Sequence, residues 1–159
     1  MTSLPNRALI LDRIEQMLGR ARRDHVPTAA MFLDLDDFKQ VNDVHGHHSG
    51  DEVLRLAAER LVAISRGADQ VARLGGDEFA IILADVHRDD QVRAAEQRVR
   101  AAFVDPFVIC DIPVSIGTSI GGVVWPEDGD TVNELVRRAD AAMYRDKAEK
   151  HKRSIHALT

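Results

Sequence analysis

Hydrophobic residues recur at helical spacing in four segments of the chain. In the first segment, Leu4 to Arg23, Leu11, Ile14 and Leu18 fall on one face of a predicted helix. The other three predicted helices run from Ser49 to about Ile64, from Asp89 or Asp90 through Ala102, and from Thr131 through Met143. The pairs Ser49/Glu52 and Thr131/Glu134 have the spacing of capping boxes, and Asp89 or Asp90 can cap the third helix.

Four apolar runs lack this spacing and predict strands. Ala29–Leu35 is short and apolar, which is typical of a buried strand. Gln70–Leu74 and Phe79–Leu83 flank a Gly-Gly-Asp-Glu turn, and this arrangement predicts a hairpin. Val114–Trp125 is rich in Val, Ile and Thr and predicts one long strand or a pair. From Lys150 onward the chain is basic and shows no pattern.

The order of these elements is helix, strand, helix, hairpin, helix, strand, helix. Hairpins and helical crossovers are enough to connect them, which predicts an α/β (α+β) fold with one mixed or antiparallel sheet flanked by helices. The chain has 159 residues and shows no internal repeat and no linker. We therefore expect a single domain over residues 1–159.

Charge and composition exclude several functions. The formal net charge is −5, so we expect neither nucleic-acid binding nor direct contact with a membrane surface. No apolar run approaches the ~20 residues of a membrane span, and the start of the chain lacks a signal-peptide pattern. Cys110 is the only cysteine, which fits a reducing, cytoplasmic compartment. A membrane-anchored parent protein is compatible with all of these features.

Asp34 is out of place in an apolar strand. Burying an ionised carboxylate without a partner costs several kcal/mol, and Asp36 and Asp37 follow at once. A divalent cation could compensate this charge, and so could Lys39. Capping of a short helix by Asp36 or Asp37 is the simpler alternative. The strand pattern alone leaves these alternatives open.

A second acidic pair, Asp77 and Glu78, directly follows two glycines. Gly75 and Gly76 permit a tight turn and the close approach of a phosphate, although a solvated hairpin turn would also explain them. A strand that ends in Asp34 can lie beside this hairpin in one sheet, so that the carboxylates converge. Converging carboxylates repel one another unless Mg²⁺ neutralises them. Paired Mg²⁺ ions serve to activate a hydroxyl and to stabilise a departing pyrophosphate.

Six segments of the chain match, in order, the motifs of one known family. The segment Arg73–Phe79 reads Arg-Leu-Gly-Gly-Asp-Glu-Phe and resembles the signature that names the GGDEF family of diguanylate cyclases. The other matching segments are Leu4–Arg7, Phe32–Lys39, Asn42–Asp51, Pro126–Gly129 and Ala139–Tyr144. The resemblance extends from Leu4 to about Lys147, which is nearly all of the chain.

The resemblance implies a ferredoxin-like palm, similar to class III nucleotide cyclases and some polymerases, that condenses two GTP into cyclic di-GMP and two pyrophosphates. It implies that Mg²⁺ or Mn²⁺ is bound by Asp34, Asp77 and the carbonyl of Leu35. It also implies a catalytic role for Asp77 and Glu78, in which Glu78 assists activation of the ribose 3′-hydroxyl. The reaction needs a homodimer in which each domain brings one GTP, and we expect the isolated domain to be mostly monomeric and slow.

The resemblance also implies a set of substrate-binding residues. An amide and a carboxylate suit the acceptor and donors of guanine, and Asn42 and Asp51 are expected at that edge. The phosphates would be held by Lys39, Lys147, the backbone near Phe38, and Gly75 and Gly76.

Arg66 and Asp69 resemble the family's inhibitory Arg-x-x-Asp motif, at the proper distance before the two glycines. The resemblance implies that cyclic di-GMP binds there as product and inhibits the enzyme, with Arg98 as a second contact. The fork geometry of arginine suits a phosphate. The alternative is a surface ion pair between Arg66 and Asp69, which contributes little.

The chain departs from the family in two places. After the Tyr144 helix the family usually has Ala-Lys, two residues and Gly-Arg-Asn, whereas this chain continues Asp-Lys-Ala-Glu-Lys-His-Lys over residues 146–152. His151 therefore stands at the usual arginine position, which predicts a phosphate contact that is weaker or depends on pH. The acidic residue before the opening motif is also absent, so we expect the natural protein to continue upstream.

Three alternatives are weaker. A zinc site at His45, His47 and His48 lacks a cysteine or further ligand. A non-catalytic module that binds GTP or cyclic di-GMP and regulates a neighbour would fit the departure at His151, but the metal and catalytic carboxylates are intact. Another nucleotidyl transferase built on the same palm would not need a residue pair suited to guanine.

Overall fold

The computed structural model describes residues 4–84 and 86–158 and contains five helices and six strands within them. The helices are α1 (Arg7–Asp24), α2 (Phe38–His45), α3 (His47–Ile64), α4 (Asp89–Ala102) and α5 (Val132–Ala157). The strands are β1 (Thr28–Leu35), β2 (Gln70–Gly75), β3 (Glu78–Leu83), β4 (Phe107–Ile109), β5 (Ile112–Val114) and β6 (Thr118–Trp125). Among these helices none is long and apolar enough to cross a bilayer.

Four of the strands form one sheet in the order β2-β3-β1-β6, and every neighbouring pair is antiparallel. Helices α2 and α3 connect β1 to β2. Helix α4 and the strands β4 and β5 lie between β3 and β6 along the chain. This is the ferredoxin-like arrangement. The predicted α+β fold, an antiparallel sheet flanked by helices, is confirmed.

Strand β1 lies in the middle of the sheet and is covered on both faces. Met31 and Leu33 join a core with α3 and α4, whereas Ala30 and Phe32 join a second core with α1 and α5. A strand covered on both sides is apolar at nearly every position. Asp34, near its end, is therefore an exception that needs a reason.

Two glycines of β6 set how closely the helices approach the sheet. A Cβ atom at Gly121 would lie 2.0 Å from the carbonyl oxygen of Ala139 in α5. A Cβ atom at Gly122, which faces the other side, would lie 2.5 Å from a methyl carbon of Val92 in α4. Helix α5 can pack against β6 at this distance because residue 121 has no side chain.

Several helix starts differ from the predicted ones. Helix α1 begins at Arg7 rather than near Leu4, because Asn6 Oδ1 accepts a hydrogen bond from the N–H of Leu9 (3.0 Å). The capping box predicted at Ser49 is wrong, since α3 begins at His47. The short helix α2 precedes it and lies where the capping alternative for Asp36 and Asp37 places a short helix.

The predicted caps of the last two helices have mixed outcomes. Asp89 and Asp90 do not cap α4; they lie in its first turn, and the N-cap residue is Arg88. Thr131 does cap α5, because its Oγ1 accepts from the N–H of Glu134 (3.2 Å). The Glu134 carboxylate accepts from the N–H of Asp130 (2.8 Å) instead of closing the box.

The region after α4 is more divided than its composition indicates. Val114–Trp125 splits into β5 and β6, and β5 pairs with β4 in a separate hairpin. The tail from Lys150, which shows no pattern in the sequence, continues α5 to Ala157.

Candidate active site

The predicted metal-binding carboxylates meet at one end of the sheet. Asp34 pairs with Glu78 of β3 on one side and with Ser119 of β6 on the other. The N–H of Leu35 donates to the carbonyl of Asp77 (3.1 Å), which ties the end of β1 to the turn between β2 and β3. The fold thus brings together the acidic residues that the sequence singles out, while their roles as ligands and catalysts remain predictions.

The turn between β2 and β3 depends on its two glycines. Gly75 has φ 142° and Gly76 has φ 51°, conformations that side chains with a Cβ rarely adopt. The guanidinium of Arg73 donates to the carbonyl of Gly76 from Nε (3.1 Å) and Nη2 (2.7 Å). Arg73 therefore stabilises the turn that carries Asp77. The sequence motif alone does not assign this role to the arginine.

Asp34 has an unusual electrostatic environment. Its side chain is 17% exposed, and its Oδ1 is buried without a hydrogen-bond partner among the described residues. Burial raises the pKa of Asp34 to about 6; the positive charge of Lys147 opposes this shift and the negative charge of Asp77 reinforces it. A cation near Oδ1 would relieve both the desolvation and the repulsion.

Glu78 is perturbed in the same direction. Burial raises the pKa of Glu78, and the negative charges of Asp140 and Asp77 raise it further, whereas Arg7 lowers it. Arg7 stands at the start of α1 and Asp140 on α5, so the two helices on this face of the sheet both act on Glu78. A carboxylate with a raised pKa retains a proton more strongly than an ordinary one.

These residues fit a magnesium ion better than a structural metal. Within the described residues, no group of three or more His, Cys, Asp or Glu side chains could hold a metal ion. Mg²⁺ does not need such a cage, because it is usually bound by one or two carboxylates together with substrate phosphates. Asp34, with its unpartnered oxygen, and Asp77 meet that requirement. The zinc alternative at His45, His47 and His48 finds no support in this part of the chain.

The charged side chain beside Asp34 is a lysine of α5. Lys147 of α5 places its Nζ 3.8 Å from Asp34 Oδ2. Lys39 is exposed in the first turn of α2 and forms none of the ion pairs found among the described residues. The alternative in which Lys39 compensates Asp34 is therefore not supported, since α5 supplies the lysine.

The capping alternative for the two following acids also fails. Asp37 stands at the N-cap of α2 with φ 56° and makes no side-chain capping bond. The Asp36 carboxylate accepts from Ser119 Oγ (2.5 Å) and from Lys150 Nζ (2.6 Å). The sequence does not indicate the role of Lys150, because the basic tail shows no pattern that would place it on α5.

The residues expected at guanine lie where α2 packs against α3. A Cβ atom at Gly50 would lie 1.8 Å from Asn42 Oδ1 and 3.3 Å from the Phe38 ring. This close contact places the Asn42 amide beside the residue that precedes Asp51, whose own side chain is exposed. The packing thus accounts for the glycine, and the reading of guanine by Asn42 and Asp51 remains a prediction.

The Arg66–Asp69 segment is organised by backbone bonds. Asp69 Oδ2 accepts from the N–H of Arg66 (2.9 Å), and Oδ1 accepts from the N–H of Ala84 (2.7 Å). The alternative of a side-chain ion pair is wrong: the guanidinium of Arg66 is exposed and forms none of the ion pairs among the described residues. Arg98 is half-buried on α4, and its buried Nε has no hydrogen-bond partner in this part of the chain.

An antiparallel palm with acidic residues at the end of its central strand is the class of domain that the sequence resemblance implies. Comparison with known families is consistent with it: the family model described as diguanylate cyclase, GGDEF domain, matches residues 1–153. The chain belongs to the GGDEF family.

Relatives and solved structures agree with this assignment. Over 144 residues, 91% of the chain, it is 46% identical to the bifunctional diguanylate cyclase/cyclic di-GMP phosphodiesterase MucR of Pseudomonas aeruginosa, and it spans 21% of that protein. The crystal structure of the GGDEF domain of YfiN, also called TpbB, from Pseudomonas aeruginosa matches with a TM-score of 0.88 at 40% identity, covering 94% of this chain and 93% of that one.

A third comparison includes a ligand. The GGDEF domain of DgcB from Caulobacter crescentus, solved in complex with c-di-GMP, matches with a TM-score of 0.83 at 26% identity, covering 93% of this chain and 88% of that one. The chain spans only about a fifth to a third of the curated relatives named MucR and TpbB.

Proposed function

We propose that this domain is a diguanylate cyclase, which condenses two GTP into cyclic di-GMP and two pyrophosphates. The observation that carries the proposal is the buried, unpartnered Oδ1 of Asp34 beside the turn that bears Asp77 and Glu78. A carboxylate in this state suits a divalent cation. The family match and the domain-sized structural match support the same reaction.

In this proposal Asp34, Asp77 and the carbonyl of Leu35 hold Mg²⁺, or Mn²⁺ in its place. When bound, the ion stabilises negative charge on the phosphates and favours ionisation of the attacking hydroxyl. Glu78 lies on the strand beside Asp34, and its raised pKa suits a group that accepts a proton. We assign it the proton of the ribose 3′-hydroxyl.

The substrate would lie across the end of the sheet. Asn42 and Asp51 are assigned to the guanine edge, because an amide and a carboxylate can pair with its acceptor and donors. The phosphates are assigned to Lys39 and Lys147, to the backbone around Phe38, and to the space over Gly75 and Gly76. A Cβ added at either glycine would meet no atom within 4 Å, so open space adjoins the turn.

The proposed reaction requires two copies of the domain. The 3′-oxygen of each GTP attacks the α-phosphorus of the other, forming a phosphodiester bond. The bond to the β-phosphate breaks, and its electron pair leaves with pyrophosphate. Because each domain holds one GTP, turnover is proposed to take place across a homodimer, and the isolated domain is proposed to be mostly monomeric. GTP as substrate makes a cytoplasmic site of action part of the proposal.

Product inhibition is proposed at Arg66 and Asp69. The Arg66 guanidinium is exposed, and the Asp69 carboxylate is held by two backbone N–H groups, so the arginine is available for a phosphate. The DgcB domain, solved with c-di-GMP, supports binding of this ligand by the fold. Arg98 is proposed as a second contact, on the ground that its Nε is buried without a partner among the described residues.

A regulatory module that binds GTP or cyclic di-GMP without turnover is the second candidate. The observation that favours it is His151, exposed on α5 at the position where the family usually has an arginine. A neutral imidazole holds a phosphate more weakly than a guanidinium does.

Product formation separates the two candidates. The domain at high concentration is incubated with GTP and Mg²⁺, and cyclic di-GMP is measured by chromatography. We expect product from the wild type, and Asp77→Ala should lower its rate by roughly a hundredfold or more, because the metal loses a ligand. Asp105→Ala is the control. It removes an exposed carboxylate between α4 and β4, a connection that contributes no residue to the proposed site, and it should leave the rate unchanged.

Two results would contradict these expectations. A wild-type domain that binds GTP but forms no cyclic di-GMP would favour the regulatory module. An Asp77→Ala domain as active as the wild type would remove the metal assignment.

A further inference from the structure

The outer edge of β6 is covered by charged side chains rather than by another strand. The N–H of Val124 donates to Asp128 Oδ2 (2.8 Å), and the N–H of Ile120 donates to Asp146 Oδ2 (2.9 Å). Lys150 donates to the carbonyl of Thr118 at the site end of the same strand. Because edge strands with open backbone groups pair with other chains, this cover protects β6. It also fixes α5 against the strand.

Among the residues that cover the edge of β6, Lys150 also contacts Asp36, two residues after the proposed metal ligand Asp34. Its Nζ lies 2.6 Å from Asp36 Oδ2 and 3.8 Å from Asp146 Oδ2, and its side chain is only 32% exposed. The other oxygen of Asp36 accepts from Ser119 Oγ (2.5 Å). Both oxygens of Asp36 are therefore engaged, whereas Oδ1 of Asp34, two residues earlier, has no partner among the described residues.

Lys147 and Lys150 of α5 thus differ in how closely they contact an aspartate at the end of β1. Residues three apart lie on the same face of a helix, so Lys147 and Lys150 both face the end of β1. The contact of Lys147 with Asp34 is loose, at 3.8 Å, while the contact of Lys150 with Asp36 is close, at 2.6 Å. Lys147 can therefore rotate towards a phosphate, whereas Lys150 is held by its contacts within the protein.

The contacts of Asp146 extend to a helix on the opposite face of the sheet. Arg100 of α4 donates to both oxygens of Asp146, at 3.0 and 3.2 Å. Helix α4 belongs to the core on one face and α5 to the core on the other, so this bidentate pair reaches around the edge of β6. Asp146 and Lys150 are consequently anchored at three elements: α4, β6 and the end of β1.

We propose that Lys150 is a positioning residue of the nucleotide site. It fixes the register of α5 on the end of β1, so that Lys147 and His151 are presented to the substrate phosphates, and it keeps Asp36 from competing with Asp34 for the cation. The lysine stands where the family usually has the glycine of Gly-Arg-Asn, so this device belongs to the present chain. The inference rests on the proposed function for its substrate, but its first readout is nucleotide binding.

The test compares four variants of the domain: Lys150→Met, Lys150→Arg, Lys147→Met and Lys152→Met. Lys152 is exposed on the same helix, and its side chain forms none of the ion pairs among the described residues, so it controls for the loss of one positive charge. Binding of a non-hydrolysable GTP analogue is titrated in the presence of Mn²⁺, and KM and kcat for GTP are measured separately.

We expect Lys150→Met to weaken analogue binding and to raise KM by roughly tenfold, since a small misplacement of binding groups has effects of this size, while kcat changes less. Lys150→Arg should recover most of the loss, because a guanidinium can also donate to Asp36 and to the Thr118 carbonyl. Lys152→Met should bind as the wild type does. Binding by Lys150→Met that equals the wild type, while Lys147→Met is weakened, would overturn the proposal.

A double-mutant cycle tests whether Lys150 acts through Asp36. Asp36→Asn is combined with Lys150→Met, and if the lysine acts through Asp36 the two effects on analogue binding should not add. Full additivity would overturn the assignment, as would a loss of binding in Lys150→Met that persists in Lys150→Arg despite wild-type thermal stability. If the wild type forms no cyclic di-GMP but Lys150→Met still loses analogue affinity, the proposed function fails and the positioning role stands.

Discussion

Asp34 combines burial, an unpartnered oxygen and repulsion from neighbouring carboxylates, which together disfavour its charged form. Its pKa is raised to about 6, mainly by burial. A raised carboxyl pKa stabilises the fold below the ordinary value of 3.8, and that contribution is lost as the pH rises through about 6. At neutral pH the metal-free domain is therefore destabilised by a residue that serves the site.

The substitution Asp34→Asn tests this directly. We expect it to raise the free energy of unfolding of the metal-free domain by about 1 kcal/mol near neutral pH, because the buried charge is removed. The gain should shrink as the pH falls from about 6 towards 3.8, because the carboxyl of the folded wild type becomes protonated over this range and its buried charge is lost. Urea denaturation at several pH values measures the difference.

Added Mg²⁺ provides the control. It should stabilise the wild type and leave Asp34→Asn unchanged, since the ion binds the ionised carboxylate. A variant that is less stable than the wild type without metal, at every pH, would contradict the account of Asp34.

Arg66 and Asp69 should respond differently to substitution. Arg66→Ala should weaken cyclic di-GMP binding by roughly tenfold to a hundredfold, the value of a charged hydrogen bond, without affecting stability. Asp69→Ala should also lower the free energy of unfolding by about 1–3 kcal/mol, because two backbone N–H groups lose their acceptor. Calorimetric titration and denaturation separate the two effects; equal product affinity in Arg66→Ala would remove the inhibitory site.

Individual side chains differ in how far the sequence predicts them. Asp34 can be found because an acid in an apolar strand is unusual, whereas Asp77, in a turn that solvent exposure could explain, is found through its expected convergence with Asp34 and the family signature. The partner of Asp34 could not be found, since Lys39 is near in sequence whereas Lys147 is brought near only by the packing of α5. The engagement of Asp36 by Lys150 is hidden for the same reason, as the two residues are 114 positions apart.

Among the helices and strands, the contact of α5 with β6 has the most direct effect on the site, because α5 carries Lys147 and Lys150. Gly121→Ala would place a methyl group 2.0 Å from the carbonyl oxygen of Ala139. We expect it to lower the free energy of unfolding by about 1–3 kcal/mol and to weaken GTP binding, because the helix must move away from the strand.

The matched control is Gly19→Ala in α1. A Cβ atom at that position meets only the end of the Arg23 side chain, at 3.9 Å. Alanine is the better helix former, so this variant should be as stable as the wild type or more stable by up to about 1 kcal/mol. Thermal unfolding of both variants measures the contrast, and equal stability of Gly121→Ala and the wild type would contradict the close packing.

The elements themselves follow largely from local pattern. β1, β2 and β3 can be predicted because they are apolar runs bounded by turn residues, whereas the pattern alone leaves the sheet mixed or antiparallel and does not give the strand order. The bounds of α2 and the start of α3 could not be predicted, because Gly46, at φ 89°, separates the two helices and provides no side-chain cap for α3. The last turns of α5 have no apolar stripe; their anchor is the contact of Lys150 with Asp36 and β6.

Within the part of the chain that the structure describes, the candidate metal-binding carboxylates form one set at one end of the four-stranded sheet. Cyclic di-GMP contains two phosphodiester bonds made from two GTP, so one such set accounts for one of the two bonds. This arrangement explains why the domain alone should be slow at low concentration: two copies must meet with both substrates bound.

The concentration dependence of cyclic di-GMP formation tests this account most directly. The domain is assayed with saturating GTP and Mg²⁺ over a wide range of protein concentrations, and the initial rate is measured by chromatography. The account predicts that the rate rises with the square of the protein concentration while the domain is mostly monomeric, and in direct proportion once dimers prevail. A rate proportional to concentration throughout for a monomeric domain, or no cyclic di-GMP at any concentration, would contradict it.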